Sequence, residues 1–143
     1  MIQDFFDIKE VVCPEVFHKY GQTAWSFFDS RLLVTMESLR IRLNKQIFIN
    51  NWDIKGQFSQ RGFRCIQCSL VQDAVKNNVL YCSAHMTGQA YDFDVEGLVA
   101  EEVRQYIIKN ANLWPYPIRL ESDTSWCHLD TRGGISKVTL FNS

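Results

Sequence analysis

The chain predicts an α+β domain whose antiparallel sheet is flanked by helices. Two stretches carry apolar residues at helical spacing, and short runs with a period of two gather between and after them. Helical and strand-like stretches are therefore partly segregated, and 143 residues are enough to bury a core without staples. Residues 1–22, with Cys13-Pro14 and Gly21, read as a mixed N-terminal arm before a core spanning 24–143. From Ala24 to Asn44 the pattern is helical, with Phe28, Leu32, Met36, Leu39 and Leu43 on one face. Ile47–Ile49 predicts a strand, and 53–60 a polar loop containing Gly56. Residues 66–76 predict a short helix, and Ala90–Asp94 a strand. A second long helix is expected over Leu98–Lys109 with Val99, Val103, Tyr106 and Ile107 inward; Trp114-Pro-Tyr-Pro117 stops it. Strands are expected at Ile118–Glu121, Ser125–Asp130 and, after the Gly133-Gly134 turn, Lys137–Phe141.

Composition narrows the function. The formal charge of −1 leaves no electrostatic footprint for nucleic acid. No apolar run is long enough to span a membrane. The first residues, Met1 to Asp7, lack the basic start and apolar stretch of a signal peptide. Five cysteines cannot all pair internally. Cytoplasmic synthesis with reduced thiols is the expectation, for a monomer of one domain.

The residues richest in chemistry are His85, Asp92, His128 and Asp130. Strand alternation turns Tyr91 and Phe93 to the core and Asp92 to a cleft. Gly88 permits a left-handed turn that returns His85 toward Asp92, and Ala90 leaves room beside them. In the later strand Trp126, His128 and Asp130 share one face, opposite Cys127 and Leu129. Two histidines and one aspartate supply three ligands and leave a fourth position open, the pattern of a catalytic zinc. Asp130 is placed to orient a ligand from behind or to meet an arginine. Trp126 is suited to wall the cleft. His18 and Asp53 read as ordinary surface residues.

Ser83-x-His85-x-x-Gly88-x-Ala90-x-Asp92, followed by Trp126-Cys-His128, resembles the metal motifs of the zinc D-alanyl-D-alanine carboxypeptidases. That superfamily also holds D-Ala-D-Ala dipeptidases, phage L-alanyl-D-glutamate endolysins and the hedgehog domain. Gly62-Phe63-Arg64 resembles its upstream Gly-Tyr-Arg segment, and the resemblance covers roughly residues 30–141. It implies one zinc ion on His85, Asp92 and His128, and a peptidoglycan stem peptide as substrate. Arg64, Ser83 and Trp126 would contact substrate, with Arg64 also facing the transition state. Release to the cell wall by lysis would follow if the chain is phage-derived. The family's base positions correspond here to Ser125, or to Ser122 with Trp126 in place of a histidine. Neighbouring Glu121 is the expected base, and Asp123 the second choice. A metal-bearing binding or phage structural module of the same fold is the alternative.

Cys65-x-x-Cys68 and Cys82-x-x-His85 suggest a competing structural Cys3His zinc site. It would consume His85 and leave Asp92 and His128 unexplained. The preferred reading takes these cysteines as half-buried small hydrophobes.

Overall fold

The computed structural model describes residues 1–143. Four α-helices form: α1 (Pro14–Tyr20), α2 (Ser30–Leu43), α3 (Ser69–Lys76) and α4 (Ala100–Lys109). Five strands form with them: β1 (Ile47–Phe48), β2 (Ala90–Val95), β3 (Ile118–Glu121), β4 (Cys127–Asp130) and β5 (Val138–Phe141). This is an α+β architecture. None of the helices is long and apolar enough to cross a membrane.

The helix expected over Ala24–Asn44 is interrupted. Gly21–Phe27 is a 3-10 helix, Phe28 is extended, and α2 begins after Asp29. Asp29 accepts from the Arg31 N–H through its side chain at 2.8 Å, and this cap outweighs a continuous helix. The break also frees the Asp29 N–H to donate to the Gly88 carbonyl at 2.9 Å. Leu32, Met36 and Leu39 are buried as their spacing predicts, and Asn44 ends α2 in the left-handed region. In α4, Val103 and Ile107 are buried, but Val99 is the exposed N-cap and does not point inward.

Residues 1–22 are not an arm laid on the core. Ile2, Phe6, Ile8, Val11, Val12, Cys13 and Val16 are buried within it, carried by two 3-10 turns and α1. Their irregular spacing follows from those turns and gives no periodic signal.

The strand order is β1-β2-β4-β3-β5. The expected all-antiparallel sheet is corrected at one edge, where β3 and β5 run parallel. β4 already has β2 and β3 on its two sides. After the 133–137 turn, β5 takes the free edge of β3, and its reversal relative to β4 makes it parallel to β3. One face of the sheet is apolar, with Tyr91, Phe93, Ile118, Leu120, Cys127 and Leu129 buried. The Phe28 ring lies 5.4 Å from that of Tyr91 on this side. The alternate residues of β2, β3 and β4 occupy the other face.

Candidate metal centre

The polar face is built by register. β2 sets Asp92 opposite His128 and Ala90 opposite Asp130. β3 sets Arg119 opposite Asp130, and the same register carried two residues further sets Glu121 opposite His128. Glu121, His128 and Asp92 thus form one row across three strands, with Arg119, Asp130 and Ala90 in the row beside it. Directly opposed residues have Cβ atoms about 5 Å apart, so the row is a unit of contact.

His85 reaches this row from outside the sheet, on the 3-10 helix Ala84–Thr87. Ser83 caps that helix, accepting from the His85 N–H at 3.3 Å. Gly88 ends it with φ +65°, and a Cβ there would lie 2.1 Å from the Phe27 carbonyl oxygen. Only glycine allows both the turn and the close approach. His85 Nδ1 donates to the Gly62 carbonyl at 2.8 Å, which leaves the Nε2 lone pair facing the site. Gly62 has no room for a Cβ either, because the Val11 carbonyl oxygen would be 2.0 Å away. The surrounding loop is pinned by Phe63 N–H to Val11 O, Arg64 N–H to His85 O and Asp92 N–H to Arg61 O.

Three ligand atoms converge. His85 Nε2 lies 3.3 Å from His128 Nδ1 and 3.3 Å from Asp92 Oδ1, and His128 Nδ1 lies 2.7 Å from Asp92 Oδ1. All three side chains are buried, and together they can hold a metal ion. Outer partners fix their orientation. His128 Nε2 donates to Asp130 Oδ2 at 3.1 Å, and Arg119 clamps both oxygens of Asp130 at 2.9 and 2.8 Å. Arg64 Nη2 donates to Asp92 Oδ2 at 2.9 Å, leaving Oδ1 for the centre.

Electrostatics follow from this packing. Burial pushes the His85 imidazole below its ordinary value against the pull of Asp92, so it is neutral. Burial also acts downward on His128, but its bonds to Asp130 and Asp92 and their charges prevail and raise it to about 9. Burial raises Asp92, yet the two histidines hold its carboxyl well below the usual range. Asp130, also buried, is brought down to about 2 by His128 and Arg119.

These groups line an open cleft of about 400 Å³. Trp126 stands on its wall, 37% exposed, as do residues 80–84. Glu121 lines the cleft, while Asp123 sits exposed in the following turn with φ +62° and does not. Ser83 lines the cleft as well as capping the His85 turn. Arg64 is more committed than the sequence suggests. Its Nε donates to the Gln60 carbonyl at 2.7 Å and its Nη1 to the Tyr81 hydroxyl at 2.6 Å, besides the Asp92 contact.

Sequence reasoning missed Tyr81, Arg119 and Phe141. The Phe141 ring packs edge-on to His128 with centroids 5.7 Å apart, and the Arg119 guanidinium lies 4.5 Å from the Phe141 centroid. Alternation in Ile118–Glu121 would have put Arg119 on the same face as Glu121; nothing in the sequence signals the other two. The Cys3His grouping does not form. His85 belongs to the centre above, Cys82 is exposed, and Cys65 and Cys68 meet Cys13 instead.

The chain matches no protein-family model, no curated protein and no solved structure.

Proposed function

We propose that this protein is a zinc metallopeptidase of the D-alanyl-D-alanine carboxypeptidase superfamily. It would hydrolyse a stem-peptide bond of peptidoglycan, of the D-Ala carboxypeptidase or L-Ala-D-Glu endopeptidase type. The observation that carries this reading is the convergence of His85 Nε2 on Asp92 Oδ1 and His128 Nδ1, which share a cross-strand row with Glu121. A tetrahedral zinc with ligands at about 2.0–2.1 Å separates them by about 3.3 Å. Two of the three separations are 3.3 Å, and the third, 2.7 Å, is a hydrogen bond that metal would replace. Two imidazoles and one carboxylate leave a position open to solvent, and zinc bound there would acidify a water and polarise a substrate carbonyl.

The chain's own residues divide the remaining work. Glu121 makes no ion pair or side-chain hydrogen bond and faces the cleft, free to take a proton from water and return it to the leaving amine. Arg119 and Asp130 hold His128 in orientation, and Arg64 does the same for Asp92. Arg64, Arg119 and Arg132 all line the cleft, which suits a substrate bearing carboxylates. Trp126 shields one side from water.

The test is amine release from peptidoglycan together with zinc content, in wild type, Glu121→Gln and His128→Ala. Glu121→Gln should keep its metal and lose roughly 100-fold or more of the rate. His128→Ala should lose one equivalent of zinc and the activity with it. A zinc-loaded wild type that releases no amines would remove the peptidase reading. The engagement of Arg64 by three protein acceptors favours one second reading, a metal-bearing module that binds wall peptides without cutting them. Sedimentation with peptidoglycan and no hydrolysis would select it.

A further inference from the structure

Three cysteines distant in sequence meet next to Arg64. Cys13 Sγ lies 3.6 Å from Cys65 Sγ, Cys65 Sγ lies 3.9 Å from Cys68 Sγ, and all three sulfurs are within 4.8 Å of one another. A disulfide requires about 2.05 Å between sulfurs. Thiolates on a tetrahedral zinc, at about 2.3 Å from the ion, are separated by about 3.8 Å. The Cys13–Cys65 and Cys65–Cys68 spacings bracket that value. Cys65 and Cys68 have the two-residue gap of a chelating pair, and the Gln67 N–H between them donates to Cys65 Sγ at 3.4 Å. Such a backbone donor favours a thiolate. Cys13 and Cys68 are buried, whereas Cys65 is only partly covered and gives an ion a way in.

We propose that Cys13, Cys65 and Cys68 bind a second, structural metal ion of the thiophilic class, zinc in the first instance. A three-thiolate set selects soft or borderline ions over magnesium or calcium. Its fourth position would take water or another small donor. The ion would staple the N-terminal segment to the loop bearing Gly62 and Arg64. The Phe63–Val11 hydrogen bond and the closely packed Gly62 already join those two segments. The loop in turn orients His85 through the Gly62 carbonyl and Asp92 through Arg64. The inference does not depend on the peptidase reading, because it concerns sulfur ligands alone.

The experiment is a cobalt(II) titration of reduced, metal-free full-length protein, followed by near-ultraviolet thiolate-to-cobalt charge-transfer absorption. The expected result is a thiolate band of equal final amplitude in wild type and His128→Ala, complete by about two equivalents in the former and about one in the latter, and absent in Cys68→Ser. Zinc content should fall from about two per chain to about one in either variant. If Cys68→Ser fails to fold, the wild-type band and its abolition by an organomercurial decide the matter. No thiolate band at saturating cobalt would overturn the proposal. So would an intact mass, without reductant, two hydrogens below the reduced mass, since the sulfurs would then be a disulfide.

Discussion

Gly88 shows how tightly single positions constrain this centre. It must take φ +65° and must also pass within contact of the Phe27 carbonyl. Gly88→Ala should cost at least about 2 kcal/mol, from the left-handed backbone and the collision together. Denaturant unfolding of the metal-free protein measures it, and a loss below experimental error would sink the argument. His128 has a different signature. Its folded-state value of about 9 lies above the ordinary 6.5, so the protonated ring stabilises the metal-free fold. That contribution is complete below pH 6.5 and is lost as pH rises through about 9. Metal-free protein should therefore lose stability across this window, and His128→Asn should show a flatter profile. His85, shifted the opposite way, acts on the acid side of 6.5, whereas Cys68, lowered from 9.0 by its contact with Cys13, acts in the opposite sense below 9, so the difference between wild type and His128→Asn isolates the histidine. The candidate ligands themselves were legible from the chain because alternation fixes the faces of Asp92 and His128. Arg64's bond to Tyr81 was not, since a loop side chain's partners depend on where two distant loops cross.

The turn between β3 and β4 is held by α4. Arg104, 6% exposed, donates to the carbonyls of Thr124 and Trp126 at 3.0 and 3.2 Å and pairs with Glu101 at 2.8 Å. It thereby sets the approach to β4, and so the placement of Trp126 and His128. Arg104→Met should destabilise by roughly 1–3 kcal/mol, because it strands the Thr124 carbonyl, while the Trp126 carbonyl keeps its bond from the Thr124 hydroxyl. Thermal unfolding would check this, and an unchanged midpoint would show the turn to be self-supporting. Helical periodicity gave Val103 and Ile107 their inward faces, yet it placed Val99 wrongly because a cap residue lies outside the helical wheel. Strand positions were similarly readable, but the parallel β3–β5 pair was not. Pairing order depends on which sheet edge remains free, and that is a property of the assembled sheet.

Across the molecule, the N-terminal twenty residues, α2 and the sheet share one apolar cluster. The loop bearing Arg64 is tied both to the N-terminal segment through Phe63 and Val11 and to the cleft through Asp92, so a metal bound there would be linked to global stability. Chelator treatment should lower the melting temperature, and zinc at 100 times its Kd should restore about 2.7 kcal/mol per site. The recovery should be smaller in His128→Ala. A midpoint indifferent to chelation would mean that the fold is complete without metal. The N-terminal contribution was the least legible part of the architecture, because residues buried by 3-10 turns follow neither helical nor strand periodicity.

The register that sets Asp92 against His128 also fixes when the centre can come into being. These partners are 36 residues apart, and β4 must enter between β2 and β3 before they meet. During synthesis, which proceeds from the N-terminus, His85 and Asp92 emerge well before the strand that completes their set. The nascent chain therefore lacks the assembled His85–Asp92–His128 set until β4 is in place, whereas Cys13, Cys65 and Cys68 have all emerged earlier. If this set binds a metal, loading belongs to the folded sheet, and the ion taken up would be the one available where folding ends.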